Sequence, residues 1–215
     1  RYDRSVSMDT AIRRTLELNR MTAADFEVVE LYSCFPCVPK MARRTLNWPV
    51  DKPATVFGGL TFGGGPIANY MSHAVVSMAD QLRANGGTGF LFANGGFATD
   101  NHCIILSRAP IAAARFPQDF DYQGEADAAR DPIPPLEQDY IGAATIETYT
   151  IFYGRDGAAR AGVVVALTPA GGRTLAHVDV SDAAMVAFLT DGAVEPVGTA
   201  GAVVNAGDAG RRWAR

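Results

Sequence analysis

Three groups of side chains in this sequence could carry chemistry. Cys34-Phe35-Pro36-Cys37 sets two thiols at a spacing that suits a redox pair, or half of a zinc site with His73 and His102 to complete it. A redox thiol gains reactivity at a helix N-terminus, and Pro36 permits a helix to begin there. Against zinc, there is one knuckle only and no paired-histidine spacing, so no metal is expected. Two half-buried thiols at a strand end are the plainer alternative. The second group is the glycine run GGLTFGGGP, residues 58–66. Backbone amides ahead of a helix can hold an anion, but the run fits neither nucleotide-loop template. A tight turn packed on the next helix is the simpler reading.

The third group is polar residues at element ends: Tyr32 after an apolar run, His73 among Asn69, Ser77 and Asp80, and His102 following Asn94-Gly95-Gly96. A lone histidine is more often structural than catalytic. Tyr32, Gly65 and Asn94, however, all stand where a strand ends or a helix starts, the place where α/β sites assemble.

The elements that would position them follow from periodicity. Residues 9–18 read as a helix capped by Asp9, residues 26–32 as a strand, 36–46 as a helix and 54–57 as a short strand. Pro66 opens a helix running to Ala84, with Ile67, Met71, Ala74, Val75, Met78 and Leu82 on one stripe and Tyr70 at its boundary. Strands at 90–93 and 103–107 complete an α/β layer. Residues 109–139 hold five prolines and little periodicity, and read as a linker or surface wrap. Beyond them come a three-stranded meander, a short helix capped by Ser181, one or two further strands and a loose tail from Asn205. The expected domains are 1–110 (α/β), 111–140 (linker), 141–207 (β-rich) and 208–215 (tail).

Of the 215 residues, 48% are hydrophobic and 20% charged, enough to bury a core and too apolar for disorder. A net charge of -4 offers no footprint for nucleic acid or anionic lipid. No run reaches the roughly 20 apolar residues of a membrane helix. Three cysteines make no disulfide framework, which points to a reducing cytoplasm. A first residue that is arginine suggests a fragment.

Three segments in order resemble the C-terminal half of the thiolase superfamily. ELYSCF (30–35) is similar to the loop carrying Asn-Glu-Ala-Phe or His-Asp-Cys-Phe, GGLTFGGGP to the Gly-His-Pro loop, and FANGGF (92–97) to the Cys-x-Gly hairpin. The wording is nearest to a divergent bacterial thiolase-like branch with Leu-Tyr-Ser-Cys-Phe-Pro, Gly-Gly-Pro-x-x-Asn-Tyr and Asn-Gly-Gly loops and an extra C-terminal domain. ATIETYTIFYGRDG resembles the opening of that OB-like barrel.

The resemblance implies a mixed sheet with helices on both faces, followed by a small β-barrel. It also implies an acyltransferase of lipid metabolism that takes acyl-CoA thioesters, with coenzyme A as substrate and no covalently bound cofactor. Gly64, Gly65, Asn94 and Gly95 would contact the coenzyme. The family's base and acid positions hold Gly65 and Ala93 here, and its water-orienting asparagine or histidine is Tyr32. The nucleophilic cysteine would lie in a missing N-terminal half, the chain's implied partner. Tyr32, Tyr70, His73 and His102 are the substitutes at hand. The alternatives are a thiolase-like retro-aldol lyase using Tyr32 and Tyr70, or an acyl-CoA-binding protein without catalysis.

Overall fold

A computed structural model describes residues 3–111 and 121–215. Two compact units share the chain, one running to Arg130 and the other from Asp131 to Arg215.

In the first unit, α1 (Val6–Asn19) starts at Ser5, whose hydroxyl accepts from the Met8 amide at 3.3 Å. Asp9, the expected cap, lies inside the first turn, where its charge suits the helix dipole. The sheet orders β1 (Val28–Tyr32), β2 (Thr88–Gly95) and β3 (Asp100–Ser107), with β1 and β2 parallel and β2 and β3 antiparallel. Helices cover both faces. On one, α1 and α2 (Cys37–Leu46) bury Met8, Ile12, Val38, Ala42 and Leu46 against Val29, Leu31, Phe90 and Phe92. On the other, α4 (Tyr70–Asn85) sets Tyr70, Ala74, Met78 and Leu82 against Leu91.

Two expectations about this face fail for physical reasons. The short strand at 54–57 does not form, because the amides of Val56 and Phe57 donate to the Glu30 carboxylate; only Ala54 keeps a ladder bond, from the Leu31 amide at 2.9 Å. The long helix starts at Tyr70, since Ala68 adopts φ 57 and the chain turns from Pro66 to Asn69. Ile67 is therefore 92% exposed and outside the stripe, while Tyr70, expected at its boundary, is 3% exposed.

The expected linker is largely ordered where it is described; its residues 112–120, Pro117 among them, lie outside the described residues. α5 (Gln123–Ala128) is tied to α1 by Glu125, which pairs with Arg13 and Arg14. In the second unit, the Glu137 amide donates to the Arg173 carbonyl and the Arg173 amide to the Pro135 carbonyl, both at 2.8 Å.

That second unit is a closed barrel, in the order β4 (Gly142–Tyr153), β5 (Ala159–Leu167), β6 (Arg173–His177), β8 (Arg211–Ala214), β7 (Ala200–Asn205) and back to β4. Only the β6–β8 pairing is parallel. α6 (Ala183–Thr190), between β6 and β7, buries Phe188 and Leu189. Its cap is Asp182, whose carboxylate accepts from the amides of Ala184 and Met185; Ser181, expected in that role, bonds Asp179 instead. The expected loose tail is the closing strand, anchored by Trp213 at 2% exposure. A barrel needs a partner for each edge, and residues 211–214 supply it.

Each unit holds one buried tryptophan, Trp48 in the first and Trp213 in the second. Trp213→Ala should cost the barrel about 3–5 kcal/mol. Urea unfolding followed by circular dichroism should show an early barrel transition, with Trp48 fluorescence keeping its own midpoint. An unmoved transition would contradict closure by β8.

Candidate functional site

The side chains of β1 alternate between the two cores: Val29 and Leu31 face α1 and α2, whereas Val28, Glu30 and Tyr32 face α4. Glu30 is 0% exposed. A carboxylate taken out of water is costly unless its lone pairs are met. Here Thr55 Oγ1 at 2.7 Å and the amides of Val56 at 2.9 Å and Phe57 at 3.0 Å donate to Oε2, while the Tyr70 hydroxyl donates to Oε1 at 2.8 Å. All four donors are neutral, and among the described residues Glu30 has no ion-pair partner. Burial, and then the bond to Glu30, push the Tyr70 phenol well above the usual tyrosine range.

An aromatic ladder is built on that anchor. Tyr32 stacks on Tyr70 at 4.2 Å between ring centroids, Phe57 meets Tyr70 edge-on at 5.3 Å, and His73 stacks on Phe57 at 5.6 Å. Phe57 can lie this close to the glycine run because Gly63 has no side chain to strike its ring. Asn69 Nδ2 stands 3.3 Å from His73 Nε2. The Tyr32 hydroxyl has no hydrogen-bond partner among the described residues. Burial, and secondarily the charge on Cys34, raise its phenol too.

The register sets Tyr32 beside Ala93 and Ala93 beside His102, one row across all three strands. Directly paired residues point to the same face. The packing agrees, since Leu91 and Leu106 of the same alternation meet α4 while Phe92, Cys103 and Ile105 lie under α1. The row thus carries a free phenol and an exposed imidazole on either side of a methyl group.

Other expected site residues are placed differently. Asn94 is a buried residue of β2 on the face opposite Tyr32, paired with Asn101. It is not a loop donor. Gly95 ends the same strand. The glycine run holds the short α3 (Gly59–Gly63), and Thr55 Oγ1 accepts from the amides of Gly58 at 2.8 Å and Gly59 at 3.1 Å. The Gly64 amide donates to Leu60, so these three donors, which an anion would have needed, are already taken. Gly64 itself adopts φ 66, a conformation that favours glycine. Gly65 is exposed, with open space where a side chain would stand.

Cys34 and Cys37 are exposed free thiols. Cys103 faces the α1 core, and burial pushes its thiol up to about 12. A cleft of about 800 Å³ opens between α1 and β3, lined by Thr15, Asn19, Asn101 and Cys103; His102, on the edge strand, borders it too. No group of three His, Cys, Asp or Glu side chains among the described residues is placed to hold a metal ion. No helix among them is long and apolar enough to cross a membrane.

Comparison with known proteins agrees with this architecture. Residues 123–208 match the family model of the thiolase-like protein type 1 additional C-terminal domain. The structure is similar to the crystal structure of a monomeric SCP2-thiolase like protein type 1 from Mycobacterium smegmatis, with a TM-score of 0.76 and 28% sequence identity over 95% of this chain. The chain spans 44% of that protein's length. No curated protein matches it. By both matches the chain is similar to thiolase-like proteins, in sequence around its barrel and in fold over nearly its whole length.

Cys34 and Cys37 should react with a chromogenic disulfide reagent in the native protein at pH 8, and Cys103 only after unfolding. Three equally fast thiols would contradict the placement of Cys103. Alkaline pH supplies a second test. Cys103, Tyr32 and Tyr70 hold their protons longer when folded, whereas the unfolded chain releases them from ordinary values of 9.0 and 10.0. Stability should therefore be level below about pH 9 and fall as pH rises through the folded values. Tyr70→Phe should flatten that fall, and should cost about 1.5–3 kcal/mol at pH 8 by removing a donor to a buried charge. A urea midpoint that rises between pH 8 and pH 10.5 would contradict the assignment.

Proposed function

We propose, on the premise of a thiolase-like chain, that this is the C-terminal half of a thiolase fold with an OB-like barrel appended, and that the complete protein is an acyltransferase acting on acyl-CoA thioesters. The observation that carries the reading is the Tyr32–Ala93–His102 row on the α4-facing side of the sheet. The OB-like reading rests on the barrel's strand order and on the helix between its third and fourth strands. Three free thiols support a reducing, cytoplasmic setting.

Thioester exchange needs a nucleophile, a group to move its proton, and donors for the oxyanion. This chain offers the last two. Tyr32 presents an O–H that has no partner among the described residues and can donate to a thioester carbonyl oxygen, and His102 carries an imidazole that can accept or donate a hydrogen bond. Gly65 and Ala93 cannot act as base and acid, so Tyr32 and His102 take over proton handling. The nucleophile belongs to the N-terminal half, whose docking surface would include the outward face of α4, where Val76 is 60% exposed, and the exposed Phe62 and Ile67.

The retro-aldol reading needs two phenols free to exchange protons with substrate. Tyr70 is bonded to Glu30, which weighs against that pair.

The test is acetoacetyl-CoA thiolysis by the complete protein and by this chain alone. The complete protein should turn over, the chain alone should not, and Tyr32→Phe or His102→Ala should each lower the rate about 10²- to 10⁴-fold. Activity untouched by both substitutions would remove the row from the site. Turnover by this chain alone, lost in Cys34→Ala, would place the nucleophile here.

A further inference from the structure

We infer that Glu30 is the positioning residue of this site, and that by binding Tyr70 it leaves Tyr32 as the tyrosine that exchanges a proton with substrate. The inference rests on the functional reading above for the role of Tyr32, and on geometry alone for the division between the two tyrosines.

The division follows from hydrogen-bond arithmetic. A phenol has one proton to give. That of Tyr70 goes to Glu30 Oε1 at 2.8 Å, in a place where neither group meets water. Ionising Tyr70 would set a second negative charge one hydrogen bond from the first, in a buried site where no described residue supplies an ion-pair partner, so the phenol stays neutral and its proton points inward. The remaining titratable groups nearby are Tyr32 and Cys34 from β1 and its loop, His73 on α4, and His102 in the Tyr32 row. None of these is a lysine or an arginine. The upward shift of Tyr70 has the same direction.

The same carboxylate fixes what surrounds the site. It holds Thr55, Val56 and Phe57 at one end of the glycine run and Tyr70 at the other, and Thr55 in turn caps the amides of Gly58 and Gly59. One side chain of β1 thereby sets both ends of the loop and the ring on which Tyr32 stacks. With Tyr70 held, the Tyr32 ring has a platform at 4.2 Å, and its own hydroxyl remains free.

Two arms test this. In this 215-residue chain with ring-labelled tyrosine, NMR against pH should show the Tyr70 resonance, identified by its loss in Tyr70→Phe, still protonated when the other tyrosines have titrated. Glu30→Gln should lower its midpoint by at least one pH unit, a tenfold change in ionisation constant. Tyr70 titrating in the ordinary range of the native protein would overturn the division, even if Glu30→Gln fails to fold.

In the complete protein, with acetoacetyl-CoA as probe, Tyr70→Phe should lower kcat by less than tenfold and keep the pH profile. Tyr32→Phe should lose at least a hundredfold and one limb of the profile. The reverse pattern would make Tyr70 the proton carrier and overturn the inference. Absence of turnover by the wild-type protein would overturn the acyltransferase reading, and the role of Tyr32 with it, while the NMR arm alone decides the Glu30–Tyr70 pairing.

Discussion

A buried carboxylate with no counter-ion among the described residues constrains the first unit more than any other contact. Glu30 sits at 0% exposure in an apolar strand, and leaving any of its lone pairs unmet would cost more than an ordinary hydrogen bond returns. Its requirement for donors accounts for several separate features of this face. The 54–57 segment spends its amides on a side chain and so is not a strand, α4 begins with a buried tyrosine, and the glycine run between them is closed at both ends.

The sheet supplies the second constraint. Parallel pairing of β1 with β2, and the β2–β3 hairpin, bring Tyr32, Ala93 and His102 into one row. Alternation then sorts the side chains, sending Asn94 and Cys103 to the α1 side and keeping the row on the α4 side. A shift of one residue in either pairing would exchange the two sets. Specificity of register, more than any single contact, decides which polar groups can meet one ligand.

Much of this was legible in the residues. The alternation of FEVVELY, the helical stripe through Met71, Ala74, Met78 and Leu82, and the turn glycines of the meander predict the strands, the central helix and the barrel's first hairpins. What was not legible depends on contacts across distance. Glu30 could have been suspected as the one acidic residue at an inward position of an apolar strand, but nothing local reveals that Thr55 and Tyr70 meet it. The strand 211–214 is short and opens on two arginines, and it forms because the barrel needs a closing edge. Ala68, with no glycine signal, adopts the left-handed conformation that delays α4. Asn94 looked like a loop residue because Gly95 and Gly96 follow it, yet the hairpin keeps it in the ladder.

The most direct measurement is a structure of the complete protein bound to a non-hydrolysable acyl-CoA thioester analogue. The account predicts the acyl carbonyl within hydrogen-bonding reach of the Tyr32 hydroxyl, with the His102 ring on the other side of Ala93 and the Tyr70 hydroxyl still on Glu30. An acyl group lodged on the α1 side beside Asn94, or a Tyr70 hydroxyl turned from Glu30 to the ligand, would contradict it.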